Sequence, residues 1–218
     1  EVLFPWTAAF FRYHNETYGT SLALQQKTSE FFEELTGETE AQMYAKFDAF
    51  VQTGHYLRSQ PLPAAADTLR RLAEQYTLLI ITARRPSCRG STERFVERHF
   101  PGVFADVQYT HDRHDPTHTT PKHELCRRAG AALLIDDSPR NISAAAAAGM
   151  QGILFGKYPW NQCATLPTGV TRCAGWQAVE THLRTERTRA DRRLWQEQNQ
   201  LPSSSSLAKP AAAKVLSH

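Results

Sequence analysis

The sequence lacks the features that define several classes of protein. No apolar run approaches the roughly 20 residues that a bilayer-spanning helix needs, so we expect no membrane partner. The four cysteines form no CxxC pair and no dense framework, which argues against a disulfide-stabilised secreted fold. No basic-then-apolar leader opens the printed chain. We therefore expect a reduced, cytoplasmic protein, with organellar targeting as an alternative because a signal could precede Glu1.

Strong charge of one sign is also missing. The formal net charge is only +3, which by itself gives no indication of a nucleic-acid partner. The arginine-rich run "RTERTRADRR" is interrupted by Glu186 and Asp191, as in a solvated helix face. We expect no nucleic-acid partner.

What the chain does contain is a regular alternation of apolar runs. Aromatic and aliphatic residues recur at helical spacing from Thr7 to about Tyr56. From Pro61 onward, amphipathic segments alternate with short β-rich runs such as "YTLLIITA", "DVQYT", "ALLIDD" and "GILFG". This alternation predicts an α/β fold with a parallel sheet and helices on both faces. Residues 201–218 are low in complexity and are predicted to be a disordered tail.

Polar residues stand where the predicted strands end. Thr82 ends one strand, Asp136 and Asp137 end another, and Lys122 opens the helix that follows a third. Each has an ordinary explanation: a strand-end hydroxyl, a helix start or an exposed lysine. Taken together, a hydroxyl and an ammonium can hold phosphate oxygens, while two carboxylates can hold Mg²⁺ with the substrate's phosphate. A magnesium ion and a bound phosphate are therefore predicted at this edge of the sheet.

These motifs resemble those of the haloacid-dehalogenase superfamily of phosphohydrolases. Thr82 in "IITAR" is similar to its second motif, Lys122 in "TPKHEL" to its third, and Asp136–Asp137 in "LLIDDS" to its fourth. Within the superfamily the chain looks most like the 5′-nucleotidase type C, or deoxyribonucleotidase-like, branch, over roughly residues 1 to 185. "EVLFPW", "QPLPAAADTLRRL" and "GILFGKYPWNQ" are similar to segments of that branch.

The resemblance implies a Rossmann-like three-layer core with a helical cap inserted near the N-terminus. It places the core in residues 1–6 and 57–200 and the cap in residues 7–56. The implied activity is Mg²⁺-dependent hydrolysis of a phosphomonoester, most simply a (deoxy)nucleoside monophosphate, and a homodimer is allowed. A small phosphorylated substrate is thus the expected partner.

The resemblance also assigns roles to residues of this sequence. Thr82 and Lys122 would hold the phosphoryl group and offset its charge, while Asp136 and Asp137 would serve the metal; which of the two binds it directly stays open. The proposed substrate-contacting residues are Thr82, Ala83, Arg84, Lys122, Trp6, His55 and Tyr56. For Arg84 a surface position, and for His55 packing of the cap on the core, are equally weighted alternatives.

One family motif has no counterpart in the printed sequence. The superfamily's first motif supplies two aspartates, the nucleophile and the acid/base, yet the first aspartate here is Asp48. We expect a D-x-D motif directly before Glu1 and expect the 218-residue chain to be inert. The alternatives are a non-catalytic phosphate- or nucleotide-binding relative and, less favoured, a docking module formed by the basic C-terminal helix and tail.

A histidine-rich stretch falls outside the family pattern. "THDRHDPTHTTPKH" carries His111, His114, His118 and His123 together with Asp112 and Asp115. Imidazole and carboxylate are zinc ligands, but the spacings here are not those of a known site. We expect a polar loop at the mouth of the active site, with a second metal as the alternative.

Overall fold

The computed structural model describes residues 1–112, 118–163, 165–200 and 213–217. The helices are α1 (Trp6–Tyr18), α2 (Glu33–Thr36), α3 (Glu40–Phe50), α4 (Gly54–Leu57), α5 (Ala65–Ala73), α6 (Arg89–His99), α7 (Lys122–Arg128), α8 (Pro139–Ala147) and α9 (Trp176–Gln200). The strands are β1 (Thr77–Thr82), β2 (Asp106–Tyr109), β3 (Ala131–Asp136), β4 (Gln151–Phe155), β5 (Val170–Cys173) and β6 (Ala213–Ser217).

The strands form one parallel sheet in the order β2-β1-β6-β3-β4-β5. The continuous apolar runs of β1 and β3 are buried along almost their whole length, as expected for strands covered by helices on both faces. The predicted α/β fold is confirmed. Because all strands run in the same direction, β1 and β3 present Thr82 and Asp136 at the same edge of the sheet.

The sequence did not predict the last two strands. β5 lies at the edge of the sheet beside β4. β6 comes from the segment expected to be disordered, and the structure differs from that expectation: Ala213–Ser217 pairs with both β1 and β3 in the middle of the sheet. The other residues of the expected tail, 201–212 and 218, lie outside the described residues.

The N-terminal helices pack on the sheet through aromatic side chains. Phe10, Phe50 and Tyr56 are almost completely buried and belong to the same hydrophobic cluster as residues of β1 and β3. Their rings meet mostly edge to face, for example Phe10 and Phe50 at 5.6 Å, an arrangement that adds to the gain from burial. The division into a cap (7–56) and a core stays a prediction.

Helix α8 begins directly after the acidic pair. Ser138 is its N-cap, with Oγ accepting from the Asn141 N–H at 3.1 Å, and Pro139 occupies the first helical position. Both residues are favoured there, because one satisfies a free N–H and the other needs none. The cap fixes the direction in which the chain leaves β3 and so holds Asp136 and Asp137 at the sheet edge.

Two further expectations concern the whole described chain. No helix within it combines the length and the apolar character needed to cross a bilayer. All four cysteines are free thiols, and three of them are buried, which agrees with the expected absence of disulfides.

Candidate functional site

A cavity of about 310 Å³ opens at the carboxyl edge of the sheet. Its lining includes Ala83, Arg84, Lys122, Asp136, Asp137 and Trp6, all of which the sequence analysis proposed as site residues. They come from the ends of β1 and β3, the first residue of α7 and the start of α1. Residues far apart in sequence are thus brought to one concave surface, the usual position for a ligand site in a parallel sheet.

Asp136 accepts hydrogen bonds through both of its carboxylate oxygens. Its Oδ2 accepts from Lys122 Nζ and from Asn141 Nδ2, both at 3.0 Å, and its Oδ1 accepts from the Ser138 N–H at 2.9 Å. The side chains of Lys122 and Asp136 are only 9% and 2% exposed. A buried ion pair is tolerated when both partners are held in this way, so the pair is preorganised.

Asp137 is held by a different set of groups. The main-chain nitrogen of Glu1 donates to its Oδ1 at 2.9 Å, and Trp160 Nε1 donates to its Oδ2 at 3.0 Å. Asn161 Nδ2 donates to its main-chain oxygen at 3.2 Å. The two adjacent carboxylates, Asp136 and Asp137, therefore have different hydrogen-bond partners.

Thr82 lies beneath the cavity rather than in its wall. It is fully buried, and its Oγ1 accepts from the Arg84 N–H at 3.2 Å. Its main-chain oxygen accepts from the Thr110 N–H at 2.9 Å, which joins it to the chain leaving β2. Ala83, the next residue, lines the cavity and is exposed.

Arg84 is built into an aromatic cluster instead of lying free on the surface. Its guanidinium lies over the Trp6 ring at 4.3 Å, and Nη1 donates to Tyr56 Oη at 2.7 Å and to Thr92 Oγ1 at 3.0 Å. Cation–π contact and two neutral acceptors orient the group. Within the described part of the chain no carboxylate forms an ion pair with Arg84, and one face of Trp6 is already covered.

Besides Thr82, two further residues proposed to contact the substrate, Tyr56 and His55, do not line this cavity. Tyr56 is buried, and its hydroxyl bonds the Ser91 carbonyl at 3.2 Å and Arg84, so it supports Arg84. His55 faces the other side of the short helix α4, where Nε2 lies 3.2 Å from Glu16 Oε2. Adjacent helical residues point in different directions, which is why the sequence could not place both at the site.

The structure adds two residues that sequence reasoning missed, Lys27 and Glu30. Both line the cavity. The Glu30 carboxylate accepts from Ser138 Oγ at 2.7 Å and from the Arg140 N–H at 3.2 Å. An acidic side chain at a helix start is favourable, so Glu30 joins the N-terminal helices to α8. The only sequence signal was the clustering of polar residues in "QQKTSE" between two helices.

Lys27 is buried although it is charged, being only 3% exposed. Burial lowers its pKa to about 8, although Asp137, Glu1 and Glu30 act in the opposite direction. Its Nζ lies 4.3 Å from the centre of the Trp160 ring and 4.6 Å from that of Phe32. Two lysine side chains of the site are thus largely shielded from solvent, and among the described residues Lys122 has a carboxylate in direct contact whereas Lys27 does not.

The side chains that could act as ligands limit which metal ion the site could bind. Within the described ranges no group of three histidine, cysteine or acidic side chains is arranged to hold an ion. Mg²⁺ is often held by one or two carboxylates and completes its shell with water and phosphate oxygens. Asp136 and Asp137 fit that pattern, and Asp137 keeps more acceptor capacity because each of its oxygens accepts a single bond.

The histidine-rich stretch is only partly described. Residues 113–117, including His114 and Asp115, lie outside the described residues. His111 and Thr119 form an antiparallel bridge, and the Asp112 N–H donates to the His118 carbonyl at 3.0 Å. The proposed role at the site mouth stays a prediction.

The comparisons with known proteins identify the family and support the fold. A family model described as 5′ nucleotidase, deoxy (Pyrimidine), cytosolic type C protein matches residues 1–190. No curated protein matches the chain.

Among solved structures, a haloacid dehalogenase-like hydrolase from Bacteroides fragilis has a TM-score of 0.57 at 21% identity, over 81% of this chain and 94% of that chain. A haloacid dehalogenase-like family hydrolase from Streptococcus pneumoniae has a TM-score of 0.52 at 15% identity, over 74% of this chain and 83% of that chain. These likenesses support the fold, and the superfamily they name is the one that the sequence motifs resemble.

Proposed function

We propose, from the premise that this chain belongs to the cytosolic type C family of 5′-nucleotidases, that its site binds and hydrolyses a (deoxy)nucleoside 5′-monophosphate. The chain is in that case a phosphohydrolase of the haloacid-dehalogenase type acting in the cytosol. The observation that carries the proposal is the convergence of Ala83, Lys122, Asp136 and Asp137 on one cavity at the sheet edge.

Each residue at the cavity has a proposed role in binding the phosphoryl group that follows from its chemistry. Lys122 offsets the negative charge of the phosphoryl group while Asp136 keeps its ammonium in place. The chain segment at Thr82 and Ala83 supports the phosphoryl oxygens from the end of β1. Phosphoryl transfer depends mainly on such positioning and charge stabilisation.

Asp137 and Asp136 would hold Mg²⁺, which when bound neutralises phosphate charge. We propose Asp137 as the direct ligand, because three donors already occupy Asp136. An Asp137→Asn variant should lose most of the Mg²⁺ dependence of nucleotide affinity. Full retention of that dependence would reject the assignment.

Catalysis also needs a nucleophile. We propose that it is an aspartate of a D-x-D motif preceding Glu1, so that the 218-residue chain binds the ester without turnover. Phosphate release from nucleoside monophosphates should be seen with a chain extended through that motif and should be absent from the 218-residue chain. Equal turnover by both chains would contradict the proposal.

The second candidate function is nucleotide or phosphate binding without catalysis. It is favoured by the three hydrogen bonds that Asp136 already accepts from groups of the protein. Upstream sequence without either aspartate, together with calorimetric binding of a nucleotide, would select it over hydrolysis.

A further inference from the structure

The loop formed by residues 27–32, here called the cap loop, places an ammonium group in the lining of the cavity. Lys27 Nζ donates to the carbonyls of Ser29 (2.7 Å) and Glu30 (3.0 Å) within the same loop. An ammonium has three N–H groups, so two protein bonds leave one donor for another partner. Lys27 lines the cavity together with Asp137 and Lys122.

The position of this ammonium is fixed by aromatic rings. Lys27 lies over Trp160, whose other contacts are also ordered: its Nε1 donates to Asp137, and its ring stacks on Tyr158 at 4.7 Å with an interplanar angle of 4°. The indole is thus held between a cation and a phenol ring. Lys27 is therefore a fixed neighbour of the acidic pair and not a flexible surface side chain.

The charge of Lys27 is incompletely compensated in the protein alone. In the described ranges no carboxylate forms an ion pair with it, and its lowered pKa shows that the more distant acids do not offset burial. Burying a charge without a partner is costly. An oxyanion in the adjoining cavity would supply the missing partner.

We propose that Lys27 binds the phosphoryl oxygens of the substrate and thereby ties the cap loop to the occupied site. The inference rests on the proposed function, since it takes the phosphate ester as the ligand. Glu30 already joins the same loop to the start of α8 through Ser138 and Arg140. A bound phosphate would add a second connection, between the cap loop and the cavity that Lys122 and Asp137 also line.

The opposing explanation is purely structural, in which Lys27 only orders its own loop through Ser29 and Glu30. The two explanations differ in ligand dependence. A phosphate-binding lysine affects affinity for a nucleoside 5′-monophosphate and leaves affinity for the uncharged nucleoside unchanged. A loop-ordering lysine affects both affinities to the same extent.

The experiment is calorimetric titration of the 218-residue chain with deoxyuridine and with its 5′-monophosphate in the presence of Mg²⁺. We expect Lys27→Met to lower the affinity for the monophosphate about tenfold, as loss of one charge-assisted hydrogen bond would, with deoxyuridine unaffected. Lys27→Arg should retain most of the preference. The matched control is Lys46→Met, because Lys46 also lies on an aromatic ring, Tyr18 at 3.9 Å, but is paired with Glu38 and lies outside the cavity lining.

Each outcome has a defined meaning. If Lys122→Met abolishes the preference for the monophosphate and Lys27→Met does not change it, the inference is wrong and the proposed function stands. An equal loss for both ligands in Lys27→Met also overturns the inference. A wild-type chain with no preference for the monophosphate overturns both proposals.

A second measurement needs no variant and decides the matter if Lys27→Met does not fold. Hydrogen exchange of residues 27–32 in the wild-type chain should slow when the monophosphate binds and should not slow with deoxyuridine. Equal protection by both ligands would overturn the proposal.

Discussion

Two lysines reach the same cavity, and they are buried in opposite ways. Lys122 begins α7 and forms an ion pair with Asp136, which also accepts hydrogen bonds from the N–H of Ser138 and the amide of Asn141. Lys27 belongs to the cap loop and is bounded by two carbonyls and two aromatic rings. Lys122 thus has a carboxylate partner in the protein itself, whereas Lys27 has no carboxylate partner among the described residues.

Because their surroundings differ, the two lysines should contribute differently to folding stability and to ligand binding. Removing one partner of a buried ion pair leaves an uncompensated charge and is strongly destabilising, whereas replacing an incompletely compensated charge by an apolar group is much less so. Lys122 should therefore be needed for both folding and binding, and Lys27 mainly for binding. The following variants test this distinction.

The largest effect is expected for Lys122→Met. Asp136 would lose its ion-pair partner while remaining 1% exposed, and such losses cost about 3–5 kcal/mol of the free energy of unfolding. Urea denaturation measures this cost. The control is Arg70→Met, because the Arg70–Asp67 pair is well exposed and should contribute less than about 1 kcal/mol. Similar losses in the two variants would contradict the distinction.

Lys27→Met should have a much smaller effect on the same curve. The variant loses two bonds to carbonyls but no longer buries a charge, so we expect a change within about 1 kcal/mol in either direction. A loss as large as that of Lys122→Met would mean that Lys27 is primarily structural, and would remove the contrast between the two lysines.

Burial of the Lys27 ammonium should also make the stability of the protein depend on pH. The pKa of Lys27 is lowered from 10.5 to about 8 in the folded protein, so between these values the unfolded chain binds the extra proton. Stability of the wild type relative to Lys27→Met should therefore rise as pH increases from about 8 towards 10.5 and stay level below that window. Denaturation of both proteins across this range measures the difference, and a flat difference would contradict the burial of the charge.

The smallest effect is expected for His55→Ala. His55 pairs with Glu16 outside the cavity, and partly exposed pairs of this kind contribute less than about 1 kcal/mol. Affinity for a nucleoside monophosphate should stay within about twofold of the wild type. A larger loss of affinity, measured by the same calorimetry, would indicate that His55 does contact the substrate.

The elements of the sheet edge could be predicted because their signals are local. Thr82 and Asp136 end continuous apolar runs, and Lys122 follows Pro121 at a helix start, so strand direction alone brings the ends of β1 and β3 together. The resemblance to known motifs then gave these residues proposed roles in binding phosphate and metal. The helical segments before Pro61 were equally visible from their aromatic spacing.

The remaining residues depend on tertiary contacts that have no local signal. In the cavity Lys27 lies over the ring of Trp160, which is 133 positions away in sequence. Tyr56 and His55 are neighbours in sequence, yet packing turned one towards Arg84 and the other towards Glu16. Likewise, β6 was missed because its low-complexity surroundings resemble a tail, while its place in the sheet comes from pairing with β1 and β3.

A structure of the 218-residue chain with a nucleoside 5′-monophosphate and Mg²⁺ would show directly whether this cavity binds the phosphate ester. We expect the phosphoryl group to lie in the cavity within hydrogen-bond reach of Lys122 Nζ, with the metal at the Asp136–Asp137 pair. A phosphoryl group bound elsewhere on the molecule, beyond hydrogen-bond reach of Lys122 Nζ, would contradict the proposed function.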